Sequence, residues 1–171
     1  MKKITGLGFA CVLLVSPFLA TGNVSAAETG KQLTEQYQIN WDNAWENSDA
    51  SNQSVDFGTS SNSQQLSASS WGDLASGKTV LSATTKTVSS KGTTKGKILT
   101  TVTSATTSLK NISLGLTQNG SKKIAVGKLT ATSETSIGRN SKSNVYTGLT
   151  IHTATDSGVL YDSKTTKSND Y

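Results

Sequence analysis

Residues 33–45 read Leu33-Thr34-Glu35-Gln36-Tyr37-Gln38-Ile39-Asn40-Trp41-Asp42-Asn43-Ala44-Trp45. Taken at every second position, one face carries Leu33, Glu35, Tyr37, Ile39, Trp41, Asn43 and Trp45, and the other Thr34, Gln36, Gln38, Asn40, Asp42 and Ala44. A strand with one side in a core and one side in water has this period, so the stretch predicts a strand over 33–45. It is the most regular alternation in the chain. Two uses fit it: the first strand of a sandwich, or a strand offered to a partner.

Upstream of that stretch lies an export signature. Lys2 and Lys3 precede an apolar run from Ile4 to Ala20, and Val24-Ser25-Ala26-Ala27 places small residues where a signal peptidase cuts. Residues 1–26 therefore read as a signal peptide, with cleavage after Ala26 or Ala27. Gly8-Phe9-Ala10 ahead of Cys11 is a poor lipoprotein signal. Met1, Cys11 and Pro17 are the only residues of their types in the 171-residue chain, and all three precede Ala26. The remainder is thereby excluded from thiol catalysis, thiolate metal sites and disulfide frameworks. With His152 the single histidine, it is excluded from multi-histidine metal centres as well.

Residues 27–171 contain 24 Ser and 24 Thr against 25 Leu, Ile, Val and Phe together, so any core is thin. Low apolar content with high net charge would mean disorder. Here, however, 14 Lys and Arg oppose 11 Asp and Glu over the same residues. An all-β fold resolves the two observations, because β-branched Thr suits an extended backbone and its hydroxyl stays hydrated on an outer face.

Within that fold, residues 47–70 form a Ser/Asn/Gln-rich loop or weakly paired edge, with Val55, Phe57 and Leu66 as its large apolar residues. Strands are predicted over 79–88, 97–104, 112–117, 123–131, 145–153 and 159–161, at a spacing that suits a sandwich. Pairing Leu114 with Ile124 and Ile112 with Val126 across Gln118-Asn119-Gly120 keeps the apolar residues on one side. It also puts Gly120 at the left-handed position of a bulge, so Gly120→Val is expected to cost about 1 to 2 kcal/mol. Val145, Thr147, Leu149 and Ile151 form an inward face, with Tyr146 and His152 outward.

Charge is unevenly distributed. Residues 27–73 hold seven acids and Lys31, whereas residues 78–142 hold ten Lys and Arg139 against Glu134. The two regions attract each other, within one molecule or between neighbours. No catalytic, metal or cofactor residues are assigned. His152 has no nucleophile or acid at a spacing that builds a catalytic group. Asp42, Glu46 and Asp49 lack the spacing of a calcium loop, and no phosphate-binding glycine motif occurs. The lysines alternate with Ser and Thr rather than aromatics, against nucleic acid as a partner.

Taken together, the export signal, Tyr37-Gln38-Ile39-Asn40-Trp41, the Ser/Thr-rich body, the stretch from Asn111 to Gly120, and Tyr146-Thr147-Gly148-Leu149-Thr150-Ile151 resemble the major subunits of bacterial chaperone-usher fimbriae, of the common-pilus or alternate-chaperone type. The resemblance implies an incomplete immunoglobulin-like β-sandwich, completed by the N-terminal extension of the next subunit. Residues 27–46 would be that extension, with Leu33, Tyr37, Ile39 and Trp41 as the donor face, and residues 47–171 the body. It further implies identical subunits, a periplasmic chaperone and an outer-membrane usher as partners, a surface fimbria as destination, and a host receptor or glycan as target. Residues 162–171 depart from the pattern: they read as a loop where such subunits end in an apolar strand, so the chain is either truncated or ends differently. The alternative is a monomeric secreted binding module that meets glycans through Trp45, Trp71 and Tyr146.

Overall fold

Small and β-branched side chains place most of the body in strands. A computed structural model of the chain describes residues 25–46, 48, 52–58, 72–140 and 142–171. Two helices come first, α1 (Ala26–Gln36) and α2 (Trp41–Glu46). Nine strands follow among the described residues: β1 (Ser54–Phe57), β2 (Ala75–Ala83), β3 (Thr87–Gly96), β4 (Val102–Asn111), β5 (Leu116–Asn119), β6 (Lys123–Val126), β7 (Thr130–Gly138), β8 (Val145–Asp156) and β9 (Val159–Asp170). One sheet has the order β1-β2-β3-β7, and the other β5-β4-β8-β9, with β6 also paired to β4. Every pairing is antiparallel. The all-β expectation holds at that level.

Turn chemistry corrects several strand limits. The expected strand over 79–88 is two strands, β2 and β3, folded at Thr84–Lys86. The Thr84 hydroxyl accepts from the backbone N–H of Lys86 at 3.2 Å and of Thr87 at 3.0 Å. A threonine closes this turn without Gly, Pro or Asn to announce it. The expected hairpin over 112–126 does not form. Residues 112–115 turn instead, so that Leu116 pairs with Asn111, and β5 and β6 run in succession along β4. Gly120 lies between them outside the left-handed region. A side chain there is still costly, because its Cβ would stand 2.7 Å from the Glu134 carbonyl oxygen of β7.

The carboxyl-terminal residues, expected to be a loop, form β9, which pairs with β8 from Asp156↔Val159 to Val145↔Asp170. Ser157 and Gly158, with φ of 51° and 80°, make the two-residue turn that reverses the chain between them. β9 is polar, and the reason it is nonetheless a strand lies in what faces it.

The two sheets touch through a polar waist. Thr79 of β2 bonds Thr150 of β8 at 2.7 Å and Thr165 of β9 at 2.6 Å. Ser90 of β3 meets Thr107 of β4 at 3.1 Å. Three glycines let the sheets come this close: a Cβ on Gly92 would collide with Thr150, one on Gly148 with Ser90, and one on Gly77 would lie 2.6 Å from the His152 ring. Apolar clusters close the two ends. Phe57, Leu74, Ala75 and Ala154 form one, and Val88, Leu109 and Tyr146 the other.

This geometry reverses the expected facing of β8. Tyr146, Gly148, Thr150 and His152 point at the first sheet, and Leu149 and Ile151 point away from it, yet all of them are buried. Period-2 apolarity misleads here because the surface between the sheets is Thr, Ser and Gly, while the Leu and Ile row is covered by something else.

Candidate functional site

That cover is the N-terminal segment. The expected strand over 33–45 is helix, extended chain, then helix. Ser25-Ala26-Ala27-Glu28 is a capping signature: the Glu28 N–H donates to the Ser25 hydroxyl at 3.3 Å, with an acid in the first turn. Gly30, Leu33, Thr34 and Tyr37 then recur at helical spacing, and Gly30 and Thr34 are buried. Leu33 and Tyr37 belong to both the helical and the period-2 patterns, which is why the alternation looked so regular. Alternation is retained only from Tyr37 to Trp41, where Tyr37, Ile39 and Trp41 are half-buried and Gln38 and Asn40 exposed. The Asn40 side chain then starts α2 by accepting from the Asn43 N–H at 3.1 Å.

α1 contacts β4, β6, β8 and β9 on the outer side of the second sheet. Gly30 is the point of closest approach, since a Cβ there would be 2.5 Å from the Thr155 hydroxyl and 3.0 Å from Val102. Lys122, between β5 and β6, fastens the end of α1. Its ammonium donates to the carbonyls of Thr34 at 3.0 Å, Glu35 at 3.3 Å and Tyr37 at 2.6 Å, where the helix dipole is negative. Burial lowers the Lys122 pKa, and the Glu35 carboxylate opposes that. The Tyr37 hydroxyl is pushed up to about 12 by burial first, then by the charge of Asp162 and its hydrogen bond to that carboxylate.

The charge asymmetry is thus answered within the molecule, through helix carbonyls and indole rather than carboxylates in these contacts. Lys110 sits 5.8 Å from the centre of the Trp45 ring. Among the described residues, one direct pair joins the two regions, Lys97 with Asp56 at 2.9 Å.

Two concavities flank α2. One, of about 450 Å³, lies between the segment and β8–β9, with Tyr37, Ile39, Ala44 and Ile151 in its wall and Asn40 and Asp162 among its polar groups. The other, of about 560 Å³, lies between α2 and β4–β5 and includes Trp41, Trp45, Lys110 and Asn119. The docking is imperfect. Thr34 Oγ1 and Trp45 Nε1 are buried without a hydrogen-bond partner among the described residues, an arrangement that costs about 1 to 3 kcal/mol for each such group.

Of the expected donor residues, Tyr37 and Ile39 share the first concavity, Trp41 lies in the second, and Leu33 is half-buried on α1. Ala26 and Ala27 open α1, so cleavage after either removes the Ser25 cap. Of the residues named for glycan contact, Trp45 lines the second concavity, Tyr146 is fully buried against Leu109 and Val88, and Trp71 is outside the described residues. His152, expected on an outer face, is fully buried. Its Nδ1 bonds Thr94 at 2.8 Å and its Nε2 bonds Thr165 at 2.7 Å. Because the Thr94 hydroxyl donates to the Ser104 carbonyl, the network assigns the ring proton to Nδ1. Burial depresses the His152 pKa to about 3. Sequence reasoning missed Lys122 and Asp162; no local pattern marks either one.

Compared with protein-family models, with curated proteins and with solved structures, the chain matches none of them.

Proposed function

We propose that the protein is a non-catalytic, exported structural subunit that assembles head to tail with copies of itself by exchanging residues 27–46. The observation that carries this reading is the position of that segment: it belongs to neither sheet, yet it covers the outer row of β8. It does so with two buried polar atoms left unpartnered. A cover that can seat on its own body can seat on a neighbour's, and a head-to-tail contact does not close. In this reading the two sheets are the leaves of a β-sandwich and the exchange runs across a face. A fimbrial subunit escorted by a periplasmic chaperone and an outer-membrane usher is the specific form suggested by the family resemblance. There the donor strand would run along a sheet edge, which requires α1 to unwind.

Light scattering on the signal-free protein tests this directly. The comparison is with a version lacking residues 27–46 and with one carrying those residues at its C-terminus. Concentration-dependent oligomers for the parent, and stable monomers once the segment is appended, are the expected results. A parent that stays monomeric at every concentration overturns the assembly reading.

A further inference from the structure

The second concavity beside α2 has a composition that assembly by itself does not use. Trp41 and Trp45 are one helical turn apart, so both indoles lie on one side of α2 and are half-buried. Asp42 and Glu46 repeat that spacing beside them, both exposed. Across the gap, Thr117 and Asn119 alternate on β5 and point to the same side as their β4 partners Lys110 and Ser108. The Asn119 carbonyl oxygen already accepts from the Ser108 hydroxyl at 2.6 Å, which fixes its amide with the NH₂ available as a donor.

From this geometry we infer that the cleft between α2 and β4–β5 binds a neutral sugar ring of an oligosaccharide. The Trp41 indole offers an apolar face to the C–H side of a pyranose, and the carboxylates, Thr117 and Asn119 supply acceptors and donors for its hydroxyls. The volume of about 560 Å³ is within the range of small-ligand sites. Charge decides against the two main rivals. Asp42 and Glu46 outnumber Lys110, which disfavours an anion, and Lys110 already lies over Trp45, where a cationic ligand would have to sit. The inference does not depend on the assembly reading, since the cleft forms wherever α2 seats on a β4–β5 surface, whether of its own chain or of a neighbour.

The test is a titration of the signal-free protein with maltopentaose, cellopentaose, chitopentaose and mannopentaose, followed by tryptophan fluorescence and calorimetry. At least one is expected to bind saturably. Trp41→Ala should weaken it about tenfold or more, and Asn119→Ala several-fold while circular dichroism stays unchanged. The second variant guards against loss of α2 docking in the first. Failure of all four sugars to bind, binding indifferent to both substitutions, or a response to tetramethylammonium alone each overturns the inference.

Discussion

On its inner side the second sheet meets the first through Thr79, Thr107, Thr150, Thr165 and His152, linked hydroxyl to hydroxyl. On its outer side Leu149 and Ile151 lie under a segment that leaves Thr34 and Trp45 with unpartnered polar atoms. Hydroxyls pair across the polar surface, whose unpartnered buried atoms among the described residues, Thr101 Oγ1 and Asn111 Nδ2, lie at or beside the ends of β4, whereas the apolar surface is covered by a separate segment. Short side chains and glycines let the sheets approach until hydroxyls pair, and a paired buried hydroxyl costs little. An apolar row needs only a cover, and the cover can be a separate piece of chain.

Acidification is expected to produce the largest effect, and it acts on the inner side alone. His152 is held neutral by burial, with a pKa of about 3 against 6.5 unfolded. The unfolded chain therefore binds the extra proton first, and stability is fully present above about pH 6.5 and declines as pH falls toward 3. The loss should be on the order of 4 kcal/mol, read as a falling urea midpoint that is flat with pH in His152→Asn. Retention of the slope in that variant would place its origin elsewhere.

Next in size is Gly92→Ala. Its Cβ would overlap Thr150, so the sheets must separate, at about 3 kcal/mol in chemical denaturation. A near-neutral result would mean the waist is looser than its hydrogen bonds indicate.

Lys122→Met tests the outer side. Losing three carbonyl contacts should cost about 1 kcal/mol and release amide-exchange protection in α1 while β2, β3 and β8 keep theirs. If protection falls in the sheets as well, the cover and the body are a single cooperative unit. The smallest effect is alkaline. Because Tyr37 has a raised pKa, its contribution is present below pH 10 and is lost as pH rises toward 12, which should shift tryptophan emission before the sheets unfold.

The Ser/Thr content announced an all-β body, and the run from Val145 to Ile151 announced the strand at its centre. Other elements were illegible for physical reasons. Ser25 and Glu28 cap a helix whose stripe shares Leu33 and Tyr37 with a strand pattern, and local sequence does not rank two periods that both fit. The residues from Asp162 to Asp170 looked like a loop because a strand is ordinarily recognised by apolar alternation. Only the pairing of Thr165 with Thr79 and His152 shows why a polar strand is at home there.

By itself, then, the sequence determined the class of secondary structure, the excluded thiol and multi-histidine chemistry, and the division into an acidic segment and a basic body. Those properties are carried by composition and nearest neighbours. Tertiary structure decided which face of β8 is inner, that His152 is buried, and that residues 25–46 cover a sheet from outside. Each of these depends on contacts between residues far apart in the chain, where burial and hydrogen bonding override local preference.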